Sequence, residues 1–154
     1  SSEVLEIEAP LGNCYIEEPP TRPLILLAAS TGITQMKSII EFLEPHGFEQ
    51  ETFLYWGVIS PNDLYLDDLC RTWDEKYPNF HYIPVVSEPN KSSNWQGRIG
   101  LVGEAALQDF NDLSNTNVYV SGSAGMVYAT LDSFIDHGMP EENMFSDVFS
   151  FAPR

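Results

Sequence analysis

Two short runs of small residues have the composition of a phosphate cradle. One is Ala28-Ala29-Ser30-Thr31-Gly32-Ile33-Thr34 and the other is Ser121-Gly122-Ser123-Ala124-Gly125-Met126. Small side chains let a backbone come close to an anion. Where such a run opens a helix, the first free N–H groups add donors and partial positive charge. The same runs also suit plain packing, as a tight turn or as an N-cap with glycines for close approach. Composition leaves both readings open.

Few other chemistries have their residues here. There is no GxGxxG, no GxxxxGK[ST] and no HExxH. His46, His81 and His137 are scattered, with no cysteine or nucleophile motif beside them, and read as surface or capping residues. Cys14 and Cys70 lie in unrelated surroundings without CxxC spacing, so they read as reduced thiols of a cytoplasmic protein. The acidic residues, Asp67-Asp68 among them, read as solvated helix faces. Seven basic against 23 acidic residues give a net charge of −16, which repels phosphate backbones and anionic lipid. Neither nucleic acid nor membrane is an expected partner. No apolar run approaches the ~18–20 residues of a membrane span, and the first residues lack a signal-peptide pattern.

The elements that must position the two small-residue runs are legible from periodicity. At 154 residues and 43% hydrophobic, the chain can build one domain core. Residues 1–16 are too few for a domain and read as the last strand or two of something preceding. Glu17-Glu18-Pro19-Pro20-Thr21-Arg22-Pro23 is an extended connector. Strands are expected at 24–28, 52–56, 80–86, 117–120 and 144–149. Helical spacing runs through Met36, Ile39, Ile40 and Leu43, then through Leu64, Leu66, Leu69, Trp73 and Tyr77, then over 101–110 and 124–137. The continuous apolar run Leu24-Ile25-Leu26-Leu27-Ala28 marks a strand buried on both faces. The prediction is an α/β fold with a doubly wound, five-stranded parallel sheet. Ligands of such sheets bind beyond the carboxyl ends of the strands where strand order reverses, which is where the two runs fall.

Several landmarks in order carry a resemblance. They are Pro10-Leu11-Gly12, Thr31-Gly32, Tyr55-Trp56-Gly57, Pro84-Val85-Val86-Ser87-Glu88, Trp95-Gln96-Gly97-Arg98, and Val118-Tyr119-Val120-Ser121-Gly122 with Met126. Together they resemble the ferredoxin–NADP reductase superfamily, in its branch of bacterial NAD(P)H-flavin reductases and iron–sulfur reductases of deoxysugar pathways. The closing Phe145-Ser146-Asp147-Val148-Phe149-Ser150-Phe151 is similar to that branch too. The resemblance makes 23–154 the C-terminal, NAD(P)-binding domain and 1–22 the stub of a preceding flavin-binding barrel with its linker.

The resemblance also implies roles. Thr31, Gly32 and Ile33 would hold the pyrophosphate. Ser121 would lie beside the nicotinamide ring as the catalytic-site residue, where many members carry a cysteine, with Gly122, Ser123 and Met126 lining the same cleft. Gly57, Val58 and Ser60, with Ser87 and Glu88, would border the adenosine. Phe149 or Phe151 would cover a flavin ring. The implied reaction is hydride transfer from a nicotinamide nucleotide to flavin, with protein side chains positioning rather than exchanging protons. NADH is expected over NADPH, because Glu88 stands by the ribose and 57–61 and 87–89 hold no arginine or lysine, with Lys91 the nearby cation that would work against this preference. FAD or FMN belongs to the full-length protein and is not expected on this chain alone. An iron–sulfur domain or protein is a further implied partner.

The chain departs from the family pattern at three places. Ala29 and Ser30 replace two usual glycines, and Gln35 replaces a usual proline. The barrel's Arg-x-aromatic-Ser/Thr motif is absent, since Arg22, Arg71, Arg98 and Arg154 all have other followers. Two alternatives stand beside the reductase reading: a flavodoxin-like FMN electron carrier, and a nucleotide-binding module without catalysis.

Overall fold

The computed structural model describes residues 22–89 and 94–154 in full, and the backbone of 4–7 and 14–17. Strands β1 (Val4–Ile7) and β2 (Cys14–Glu17) pair antiparallel in a two-stranded sheet of their own.

The rest is one parallel sheet wrapped by helices. In chain order its elements are β3 (Leu24–Ala29), α1 (Ile33–Leu43), β4 (Thr52–Val58), α2 (Asp67–Lys76), β5 (Phe80–Val86), β6 (Arg98–Ile99), α3 (Val102–Asp109), β7 (Asn117–Ser121), α4 (Ala124–Asp136), β8 (Met144–Phe145) and α5 (Val148–Phe151). The strand order is β6-β5-β4-β3-β7-β8. From β3 the chain builds outward through β4, β5 and β6, then returns to lay β7 on the other side of β3. Strand order therefore reverses between β3 and β7. A flavodoxin-like order would leave a single strand on one side of β3; here three lie on one side and two on the other.

Alternation along β3 explains its unbroken apolar run. Leu24, Leu26 and Ala28 join a core with Met36, Ile39 and Ile40 of α1 and Cys70 and Trp73 of α2. Ile25 and Leu27 face the other way, onto Val102 and Ala106 of α3 and Val127, Leu131 and Phe134 of α4. Successive strand residues point to opposite faces, so a strand with helices on both sides needs apolar residues at every position.

The expected five strands are corrected to six. The added strand is the two-residue β6 on the edge beside β5, too short to give any periodic signal. The expected strand over 144–149 ends at Phe145, and Val148–Phe151 is the short helix α5. The Ser146 hydroxyl accepts the Val148 N–H at 3.3 Å, and the Asp147 carbonyl accepts from Ser150 and Phe151 N–H, which turns the chain out of the sheet. Two apolar pairs, Met144-Phe145 and Val148-Phe149, split by Ser146-Asp147 read alike in either state, so periodicity could not decide it.

Candidate functional site

The β3–β7 crevice is closed by direct contact between its two loops. After β3 the chain makes one 3-10 turn over Ser30–Gly32 and enters α1. Ser30 takes a left-handed conformation, φ 55°, and its carbonyl accepts the Trp56 indole N–H at 2.9 Å. A Cβ placed on Gly32 would stand 2.5 Å from the Ser121 carbonyl oxygen and 2.9 Å from its hydroxyl. Only glycine lets these loops meet. Gly122 is held similarly, since its Cβ would lie 2.9 Å from Met126 Sδ and 3.2 Å from the Ala29 Cβ. The Ser123 hydroxyl caps α4 by accepting the Met126 N–H at 3.2 Å.

Beside this contact a cleft of about 380 Å³ opens between the carboxyl ends of β3, β4 and β5 and helices α3 and α4. Of the residues singled out from sequence, Ala29, Ser30, Gly57, Val58, Ser87 and Met126 line it. Leu101, Val102, Leu107 and Thr130 also line it and were missed. Val102 and Leu107 read from sequence as ordinary core positions of an amphipathic helix, so no local signal marked them. Gly57 must be small here, because a Cβ would come within 2.7 Å of Val102 Cγ1.

The other candidates lie outside the cleft walls. Thr31 is exposed at the loop tip, whereas Ile33 is fully buried in the core, its N–H turned back to the Ser30 and Thr31 carbonyls. Ser60 caps a 3-10 turn over Pro61–Asp63, accepting from Asp63 while its own N–H donates to the Asp63 carboxylate at 3.1 Å. The backbone N–H groups of Ser87 and Glu88 donate to the carbonyls of Val58 and Ile59 at 2.9 and 2.8 Å, tying the loops after β4 and β5 together. Ser121 is 3% exposed, and its hydroxyl donates to Gln35 Oε1 at 2.7 Å. Phe149 packs half-buried against the Tyr128 ring, centroids 5.6 Å apart, whereas Phe151 is 68% exposed.

The wall made by α3 is held in place from β6. Arg98 donates to both Asp109 oxygens at 3.1 and 3.3 Å, to the Ala105 carbonyl at 3.1 Å and to Gln108 at 3.0 Å. Asp109 also accepts the Tyr55 hydroxyl at 2.6 Å; burial, then this carboxylate, push that hydroxyl well above the usual tyrosine range. Trp95 donates to the Arg98 carbonyl at 2.9 Å and its ring lies against Gly97. The Trp95-Gln96-Gly97-Arg98 landmark thus serves as a bracket for α3.

Among the described residues, no lysine or arginine lines the cleft. Lys37, Arg71, Lys76, Arg98 and Arg154 each pair with a carboxylate of Glu41, Asp67, Glu44, Asp109 and Asp132 in turn. Lys91 lies outside the described residues. Among the described residues, no group of three or more His, Cys, Asp or Glu could hold a metal ion, and no helix is long and apolar enough to cross a membrane.

Comparison with known proteins follows the same lines. The family model described as oxidoreductase NAD-binding domain matches residues 26–132. The chain is 39% identical over 147 residues to the CDP-6-deoxy-L-threo-D-glycero-4-hexulose-3-dehydrase reductase of Yersinia pestis, covering 96% of this chain and 44% of that protein. It is 32% identical over 148 residues to the NAD(P)H-flavin reductase of Vibrio harveyi, covering 96% and 62% respectively. In structure it is similar to the Amycolatopsis cytochrome P450 reductase GcoB, with TM-score 0.78, 25% identity, and coverage of 89% of this chain and 41% of that one. The chain therefore spans 44% to 62% of the length of these curated relatives.

Proposed function

The chain belongs to the oxidoreductase NAD-binding domain family, and on that premise we propose that it holds a nicotinamide dinucleotide across the β3–β7 crevice, for hydride transfer to a flavin carried by a preceding barrel. The observation that carries this reading is the seating of Gly32 on Ser121 at the point where strand order reverses. It brings the start of an 11-residue helix, where partial positive charge gathers, against the loop after β7.

The residues fit such a ligand. Bound nicotinamide supplies the hydride chemistry; the protein's share is binding, orientation and exclusion of water. Thr31, Gly32 and the first turn of α1 hold the pyrophosphate, and Ser121, Gly122 and Ser123 border the nicotinamide. The cleft beyond Gly57 takes the adenosine. Ile59 and Leu101, 61% and 60% exposed at its mouth, give a flat base apolar surfaces to pack on. Ser87 and Glu88 meet the ribose. Phe151, exposed at the end of α5, would cover a flavin ring.

Residues 1–22 are read as the end of the flavin-binding barrel and its linker, a reading supported by the separate antiparallel pair and by the greater length of the relatives. FAD or FMN, an iron–sulfur acceptor and a cytoplasmic setting go with this proposal. The test is titration calorimetry of the purified chain with NADH and with ADP-ribose, alongside amide chemical-shift mapping. Shifts should cluster at residues 31–32, 57 and 121–122, in protein without flavin absorbance. Shifts along the amino edge of the sheet, or tight stoichiometric flavin, would reject it.

A further inference from the structure

The side chain of Gln35 joins three segments that meet at the crevice. It stands in the first turn of α1, half-buried. Its Oε1 accepts the Ser121 hydroxyl at 2.7 Å and its Nε2 donates to Asp147 Oδ2 at 3.2 Å. Ser121 is the last residue of β7, and Asp147 immediately precedes α5.

The direction of this chain of hydrogen bonds is set by its last member. A carboxylate accepts and does not donate, so the NH2 end of the amide must face Asp147. The carbonyl end then faces Ser121, whose hydroxyl has a single proton to give. That proton is committed to Gln35, and only lone pairs remain on the Ser121 oxygen. Gly32 lies against that oxygen, where an added Cβ would stand 2.9 Å away, and Ser121 is 3% exposed, so this loop contact is where a ligand must meet it.

We propose that Gln35 is a positioning residue that makes Ser121 a hydrogen-bond acceptor toward the nicotinamide end of the dinucleotide. The site then favours a ring substituent bearing an N–H, the carboxamide, over one offering a carbonyl alone. This inference rests on the dinucleotide reading above. It assigns Gln35 and Asp147 a part in ligand discrimination without requiring either to touch the ligand.

The experiment compares three probes by calorimetry on the purified chain: ADP-ribose, NADH, and reduced 3-acetylpyridine adenine dinucleotide, in which a methyl replaces the carboxamide nitrogen. The unmodified chain should bind NADH about 3- to 10-fold more tightly than the acetyl analogue, the range of one neutral hydrogen bond. In Gln35→Leu that ratio should fall to about one while ADP-ribose affinity stays within about twofold. Asp147→Asn, which keeps the side-chain volume but lets the amide turn over, should lower the ratio in the same direction and guards against a folding defect in the first variant. A ratio that survives both substitutions overturns the inference, as does a parallel loss of ADP-ribose and NADH affinity. An unmodified chain that binds ADP-ribose but does not distinguish the other two overturns this inference alone. One that binds none of the three overturns the dinucleotide reading with it.

Discussion

The indole N–H of Trp56 donates to the carbonyl of Ser30 at 2.9 Å, and Ser30 is held at φ 55°. Trp56 is fully buried near the end of β4, so the sheet interior fixes the first turn of the loop after β3. The left-handed conformation is one that glycine adopts freely and that costs an L side chain about 1–2 kcal/mol. Ala29 has φ −109°, ordinary extended backbone.

The two departures from glycine in this loop should therefore behave oppositely. Ser30→Gly relieves left-handed strain but adds freedom to the unfolded chain, for a net effect between neutral and about 1 kcal/mol stabilising. Ala29→Gly relieves nothing and should cost about 0.5–1 kcal/mol. Urea unfolding of both variants checks the sign of each.

Gly32→Ala should separate the two crevice loops. The backbone at Gly32, φ −58° and ψ −14°, suits alanine, so the cost is all contact. A Cβ 2.5 Å from the Ser121 carbonyl forces a backbone shift worth about 1–3 kcal/mol, and dinucleotide affinity should fall with it. Gly125→Ala is the control. Nothing lies within 4 Å of its added Cβ, and helix propensity should stabilise it by up to about 0.5–1 kcal/mol. Thermal unfolding and calorimetry on the pair separate the two effects.

NADH should bind more tightly than NADPH. A 2′-phosphate leaving water needs a cation; no described lysine or arginine lines the cleft, and all but Arg22 are paired with carboxylates. Glu88 is exposed on the loop that borders the proposed ribose position. One charge mismatch at a partly exposed site is worth about 1–3 kcal/mol, or about 5- to 150-fold. Glu88→Arg should narrow the ratio. Calorimetry with both nucleotides at moderate salt is the check, and equal affinities would show the ribose is misplaced.

Stability should fall in alkali. Burial, then the nearby Asp67 charge, push the Cys70 thiol from 9.0 up to about 12. Burial likewise raises the Tyr55 and Tyr82 hydroxyls well above their usual range, each also bound to a carboxylate, Asp109 and Asp67. These groups stay protonated in the fold where the unfolded chain would release them. Their stabilisation is fully present below about pH 9 and is lost as pH rises from there toward and past 12. Urea midpoints measured from pH 7 to 11 should be flat and then decline, with a shallower decline in Tyr82→Phe.

The apolar run of β3, the helical spacing of α1 and the order of strands and helices were all legible in the sequence, because each is a periodicity within a dozen residues. The same holds for the family, whose landmarks lie in fixed order along the chain. Where local signals tie, as over Val148–Phe151, or are too short, as at Arg98–Ile99, they could not choose.

What tertiary structure alone decided is which of these elements touch. Gly32 meeting Ser121, Arg98 bracketing α3, and the cleft between α3 and α4 depend on strand order and register. Gln35 reaches Ser121 across 86 positions and Asp147 across 112. Such pairings leave no periodic mark on either partner, since a glutamine on an exposed helix turn reads the same whether it faces water or orders a hydroxyl. The sequence could mark the two small-residue loops; only the packed sheet brings Gln35 within 2.7 Å of the Ser121 hydroxyl.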